Sequence, residues 1–237
     1  MNNPDYFPFE RWGLRGNPFQ ALTREEWAEV ALLPSEVETA LRQNPDTQAL
    51  QILGESGAGK TSTLLALWRE AQGQARACSY EYIPPGSRRY HTRLDSLQLF
   101  LLDEAQRIHP RRLRRLFQWL RKAPATGLRL IWSSHADLTP LARAAGIETH
   151  SVSLDQAPRA DLQRMLDRRL RFFALPGGPK LRLDPSATAF LAARFGRDLG
   201  GMERFLYEFF QLALSSPCID GGTLEDFAAR INATPER

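Results

Sequence analysis

Up to about residue 155, two spacings of apolar residues alternate along the chain; beyond it only one persists. Gln48–Leu53, Cys78–Ile83, Leu97–Leu102, Leu128–Ser133 and His150–Leu154 are short apolar or alternating runs, and each predicts a strand. Among them lie two stretches of helical period. Thr61–Gln72 carries Leu64, Leu65 and Leu67 among helix formers, and Pro110–Lys122 places Leu113, Leu116, Phe117 and Leu120 three and four apart. Thr23–Val30 and Ser35–Arg42 also have helical character. Strands alternating with helices predict a parallel sheet with helices packed on it. Past Asp155 the helical spacing takes over in Asp161–Phe173, Pro185–Phe195, Gly201–Leu214 and Thr223–Ile231, with no strong strand. Asp184 before Pro185 fits an N-cap followed by proline at the first helical position. The pattern therefore divides the chain into an α/β domain over 1–155, its first 47 residues a mixed N-terminal segment, and a small all-helical domain over 156–237.

Composition narrows the class. With 237 residues, 43% hydrophobic and 24% charged, the chain reads as soluble and globular. No apolar run approaches the roughly 20 residues that span a bilayer. Met1–Arg11 holds two acids and no apolar core segment, which argues against a secretory signal. Cys78 and Cys218 then read as reduced thiols and the location as cytoplasmic. The four histidines show no metal-ligand spacing. Net charge is +4, and of 31 basic residues only Lys60, Lys122 and Lys180 are lysines. Arginine's forked donors suit phosphate contact.

The candidate chemistry begins where the first predicted strand ends. Gly54-Glu55-Ser56-Gly57-Ala58-Gly59-Lys60-Thr61 fits G-x-x-x-x-G-K-[ST], with Ser62 next in the helix it opens. Glycines let consecutive backbone N–H groups turn toward phosphate oxygens, and the helix N-terminus favours an anion. Lys60 is the residue to reach the β- and γ-phosphates, and Thr61 the hydroxyl to ligate Mg²⁺. Forty-three residues after Lys60, the apolar run Leu99–Leu102 ends in Asp103-Glu104. Asp103 is the metal-side acid and Glu104 the general base toward an attacking water. The cofactors expected are ATP and Mg²⁺.

These motifs resemble the AAA+ ATPases over nearly the full length. More narrowly the chain resembles the bacterial branch of transposon target-selection ATPases (TniB/TnsC type) and ExeA-type secretion ATPases. Trp12-Gly13-Leu14-Arg15-Gly16-Asn17-Pro18-Phe19 is similar to that branch's Phe-Gly-Leu…Asn-Pro-Phe opening, and Asp103-Glu104-Ala105-Gln106-Arg107 to its Asp-Glu-Ala-Gln element. Ser134-His135-Ala136-Asp137-Leu138 stands where its members carry a polar turn. The resemblance implies a P-loop sheet followed by a helical lid, with Pro18 and Phe19 near the adenine. It implies a γ-phosphate sensor at the end of the fourth strand, for which Ser134 aligns best, with Ser133 and His135 the other candidates. It also implies an arginine acting on the neighbouring subunit's nucleotide, a place Arg143 occupies, and hence a homo-oligomeric ring or filament with nucleotide between subunits. The lid departs from the pattern: Gly200 stands at the usual arginine position, leaving Arg197 or Arg204 as substitutes.

Between Ala105 and Ala136 there are eight basic residues and no acid: Arg107, Arg111, Arg112, Arg114, Arg115, Arg121, Lys122 and Arg129. The segment Arg88-Arg89-Tyr90-His91-Thr92-Arg93 adds three more cations. Arg88, Arg89, Arg93, Arg111, Arg114 and Arg115 are the candidate contacts to a phosphate backbone. On the resemblance, the leading expectation is an ATPase that assembles with double-stranded DNA in transposition target selection, with a transposase or adaptor as protein partner and no membrane. The alternatives are a protein-remodelling ATPase and a nucleotide-dependent switch of low turnover.

Overall fold

The computed structural model describes residues 9–122, 127–154, 162–196 and 198–233. The chain's contacts fall into two compact units, residues 24–157 and a second made of 1–23 with 158–237. The boundary expected at 155–156 lies outside the described residues.

The first unit runs α1 (Arg24–Val30), α2 (Ser35–Gln43), β1 (Ala49–Leu53), α3 (Lys60–Gly73), β2 (Cys78–Tyr82), β3 (Leu99–Asp103), α4 (Pro110–Lys122), β4 (Arg129–Ser134), α5 (Thr139–Ala144) and β5 (His150–Ser153). Its five strands form one sheet, ordered β2-β3-β4-β1-β5, and every neighbouring pair is parallel. The period-two alternation sends side chains to opposite faces. Phe100, Leu102, Leu130 and Trp132 pack with Leu113, Leu116, Phe117 and Leu120 of α4. Leu99, Leu101, Ile131 and Ile52 pack on the other face with Leu64 and Leu67 of α3. The same parity puts Asp103 and Ser133 on the α3 face at their strand ends.

Residues 84–96, between the adjacent parallel strands β2 and β3, contain no helix. An extended crossing covers the sheet instead. Ile83 and Leu94 are buried in the α4-side core, and Tyr90 packs on Phe100 with ring centroids 5.9 Å apart. The Glu81 carboxylate pins this segment to β2 by accepting from the backbone N–H of His91 and Thr92 at 2.6 and 2.8 Å.

The second unit holds α6 (Leu162–Phe172), α7 (Pro185–Phe195), α8 (Leu199–Leu212) and α9 (Gly221–Ala233). It also holds two strands too short to read from periodicity, β6 (Arg182–Leu183) and β7 (Cys218–Ile219), which pair in parallel. Asp184 caps α7 as expected, accepting from Ser186 N–H at 2.9 Å. The opening segment belongs to this unit. Leu14 bridges Ala174, and Leu14 and Phe19 join Phe173, Phe205, Phe209 and Phe210 in its core. Gly13 has φ +71°, and a Cβ there would meet the Gly178 carbonyl at 2.7 Å, so only glycine lets the two segments approach this closely. Among the described residues no helix is long and apolar enough to cross a membrane.

Candidate nucleotide site

The site is built where β1, β3 and β4 end side by side, the edge of a parallel sheet at which ligands bind. The glycine-rich loop leaves β1 at Gly54, whose N–H donates to the Ser134 carbonyl at 3.3 Å. Gly57 and Gly59 take φ of +82° and +87°, which side-chain-bearing residues rarely adopt. The loop curls back on its own lysine: Lys60 is buried, and its ammonium donates to the carbonyls of Gly54 and Glu55, both at 2.8 Å. Glu55, Ser56 and Gly57 form an exposed crest. Gly59 precedes α3 and gives it no side-chain cap, and the first turn of α3 holds no acid. A 14-residue helix thus presents its N-terminus to the loop, the arrangement that receives a phosphate.

Beneath the loop, Asp103 has no exposed surface and three hydroxyls on its carboxylate. Thr61 and Tyr80 donate to Oδ2 at 2.8 and 2.9 Å, and Ser133 donates to Oδ1. A carboxylate and a threonine hydroxyl in contact are the hard oxygen donors that suit Mg²⁺. The residues present fit both a phosphate chain and its cation. Tyr80 is a functional candidate that sequence reasoning missed; its only signal is alternation on an edge strand. Burial first, and the Asp103 charge second, raise the phenol above its ordinary pKa, so it stays protonated.

Glu104 leaves β3 in the left-handed region at φ +63°, an uncommon conformation for a non-glycine residue and one found at functional sites. Its backbone N–H donates to Ser133 Oγ at 3.0 Å. Its nearly buried carboxylate has both oxygens engaged. Gln106 Nε2 and Arg107 Nη2 lie 2.8 and 2.9 Å from Oε2, and His135 Nε2 lies 3.3 Å from Oε1. Arg107 Nη1 in turn donates to the Tyr82 hydroxyl and the Ile83 carbonyl at 2.9 and 2.7 Å.

Ser134, Arg143, Pro18 and Phe19 are the other residues expected at the site. Ser134 is fully buried, and its hydroxyl closes a local turn, donating to the Ala136 carbonyl at 2.6 Å and accepting from Ala136 N–H at 3.0 Å. Strand parity puts Ser133, not Ser134, with Asp103. Arg143 is exposed on α5. Pro18 and Phe19 are buried in the helical unit, where Arg169 Nε donates to the Pro18 carbonyl at 2.6 Å and its guanidinium lies over the Phe19 ring. Arg169 is 4% exposed, lies 3.5 Å from the Glu203 carboxylate and ties the opening segment down. Arg204 is exposed on α8, and Arg197 lies outside the described residues.

Of the eight cations between Ala105 and Ala136, two are engaged within the unit: Arg107 as above, and Arg129, which donates to the Asn44 carbonyl at 2.8 Å. Arg111, Arg112, Arg114, Arg115, Arg121 and Lys122 are exposed on α4, and Arg88, Arg89 and Arg93 are exposed on the crossing segment. His109 N–H donates to the Arg88 carbonyl at 3.2 Å, so the two basic segments adjoin.

No protein-family model matches the chain, and no curated protein matches it in sequence. Solved structures do. A variant of RuvB from Thermotoga maritima superposes with a TM-score of 0.56 at 13% identity, over 84% of this chain and 67% of that one. AMPPCP-bound DnaA from Aquifex aeolicus gives 0.57 at 15% identity, over 90% and 71%. NtrX from Brucella abortus in complex with ADP gives 0.53 at 16% identity, over 84% and 56%. RuvB and DnaA are AAA+ ATPases, and the five-stranded parallel sheet with flanking helices and a helical C-terminal part is their fold.

Proposed function

We propose that this chain binds and hydrolyses ATP between copies of itself, as an AAA+ module that works on duplex DNA in the manner of the TniB/TnsC target-selection ATPases. The observation that carries the reading is the cluster of Thr61, Asp103 and Ser133 directly beneath the phosphate loop, with Glu104 next in the chain. Lys60 and the Gly54–Thr61 loop, with Ser62 behind it, hold the phosphates. Thr61 and Asp103 would hold Mg²⁺, which would supply charge neutralisation on the phosphates. Glu104 takes the proton of the water that attacks the γ-phosphorus as the bond to the β–γ bridging oxygen breaks. The γ-phosphate-sensing role falls among Ser134, Ser133 and His135 at the end of β4: both serines are buried with their hydroxyls engaged, and His135 is exposed. Arg143 acts on the neighbouring subunit's nucleotide.

Duplex DNA is favoured as partner by the adjoining exposed arginines of α4 and residues 88–93. One DnaA neighbour was solved with AMPPCP and single-stranded DNA bound. The transposase or adaptor partner rests on the resemblance of the sequence motifs, and the cytoplasmic location on the reading of Cys78 and Cys218 as reduced thiols. The engaged Glu104 carboxylate favours one further reading, a nucleotide-dependent switch of low turnover.

The test is steady-state ATP turnover with and without duplex DNA, at low salt and at about 0.2 M, where phosphate contacts weaken. A salt-sensitive rise with DNA is expected. Glu104→Gln should abolish turnover while keeping nucleotide, and Lys60→Ala should lose nucleotide. Indifference to DNA at both salts overturns the DNA assignment. Tight ATP binding without turnover selects the switch, and turnover surviving in Glu104→Gln removes Glu104 as the base.

A further inference from the structure

Two of the three hydroxyls on Asp103 come from segments already assigned to the site: Thr61 from the phosphate loop and Ser133 from the neighbouring strand. The third comes from the edge of the sheet. Tyr80 pairs in register with Leu101, two residues before Asp103, and a phenol covers that rise of about 6.6 Å. Its hydroxyl meets Oδ2, the same oxygen that accepts from Thr61. A donor on a ring anchored in a strand holds its direction, whereas the Thr61 hydroxyl must also turn a lone pair toward the cation.

We propose that Tyr80 is a positioning residue of the Mg²⁺–nucleotide site, fixing the plane of the Asp103 carboxylate independently of the phosphate loop. The assignment rests on the nucleotide reading above. Carboxylates near a metal are themselves held by hydrogen bonds, and their partners tune affinity without touching the ion. Ser133 fixes Oδ1 alone, which leaves the carboxylate one axis of rotation; Tyr80 on Oδ2 removes it. Removal of the phenol oxygen therefore weakens the cation's contribution and leaves the phosphate loop's own contribution intact. The phenol is neutral and acts only as a donor, so it takes no proton in the reaction.

Tyr80→Phe deletes that oxygen and keeps the ring. The measurement is AMPPCP affinity by calorimetry in Mg²⁺ and in EDTA, for wild type and variant, with thermal unfolding of the nucleotide-free proteins alongside. The expected result is wild-type affinity in EDTA, an unfolding midpoint within a few degrees of wild type, and a Mg²⁺-dependent gain reduced about ten-fold. A full Mg²⁺ gain in the variant makes the contact idle and overturns the assignment. A larger gain means the phenol competes with the cation, and an equal loss in both conditions or a large drop in midpoint means a merely structural role; each overturns it too. Wild-type protein that binds AMPPCP in neither condition overturns the nucleotide reading itself, a failure distinct from that of Tyr80.

Discussion

At Glu104 a strained backbone and a fully engaged carboxylate coincide. A non-glycine residue at φ +63° persists only where its surroundings over-determine it, and here Ser133 Oγ holds its N–H while Gln106, Arg107 and His135 hold its side chain. Glu104 Oε2 is held by an amide and a guanidinium and is turned away from an attacking water. Arg107→Gln is therefore expected to raise DNA-free ATP turnover by about three- to ten-fold, as measured by phosphate release, the scale of a positioned general base partly relieved. A fall in turnover would make Arg107 a supporter of catalysis instead. At this scale the sequence was informative where a motif ties residue type to spacing, as at Lys60, Thr61, Asp103 and Glu104. It was silent on Tyr80 and on the ties of Arg107, because those depend on which strands become neighbours.

Among the elements, α4 separates packing from charge most cleanly. Its apolar stripe lies on the sheet, with Phe117 fully buried 5.3 Å from Trp132 between ring centroids, and its cations lie outward. Phe117→Ala should lower stability by about 3–5 kcal/mol in urea unfolding. The double substitution Arg114→Ala with Arg115→Ala should leave stability within about 0.5 kcal/mol. The same pair should weaken duplex DNA binding in fluorescence anisotropy and flatten its logarithmic salt dependence by about two contacts. An unchanged salt slope would place the DNA, if bound, elsewhere. The bounds of α4 and α7 follow directly from period and caps. The six-residue α5 and the two-residue strands β6 and β7 carry too little periodicity to be read.

For the whole molecule, the proposed reaction joins Glu104 of one copy to Arg143 of the next. Glu104→Gln and Arg143→Ala variants, each inactive alone, should then regain activity when mixed, to about a quarter of wild type for random two-fold-shared sites. No recovery on mixing would put Arg143 outside the neighbour's site. By itself the sequence determined the parallel α/β order, the glycine-rich loop between β1 and α3, the acids at the end of β3 and the basic face of α4, because each is written in local spacing. Only the tertiary structure decided that residues 9–23 complete the helical unit's core around Leu14 and Phe19, that Arg169 is buried against Pro18, and that Ser133 rather than Ser134 meets Asp103. Those outcomes depend on strand parity and long-range packing, in which the partner of a residue lies tens to hundreds of positions away and no local pattern names it.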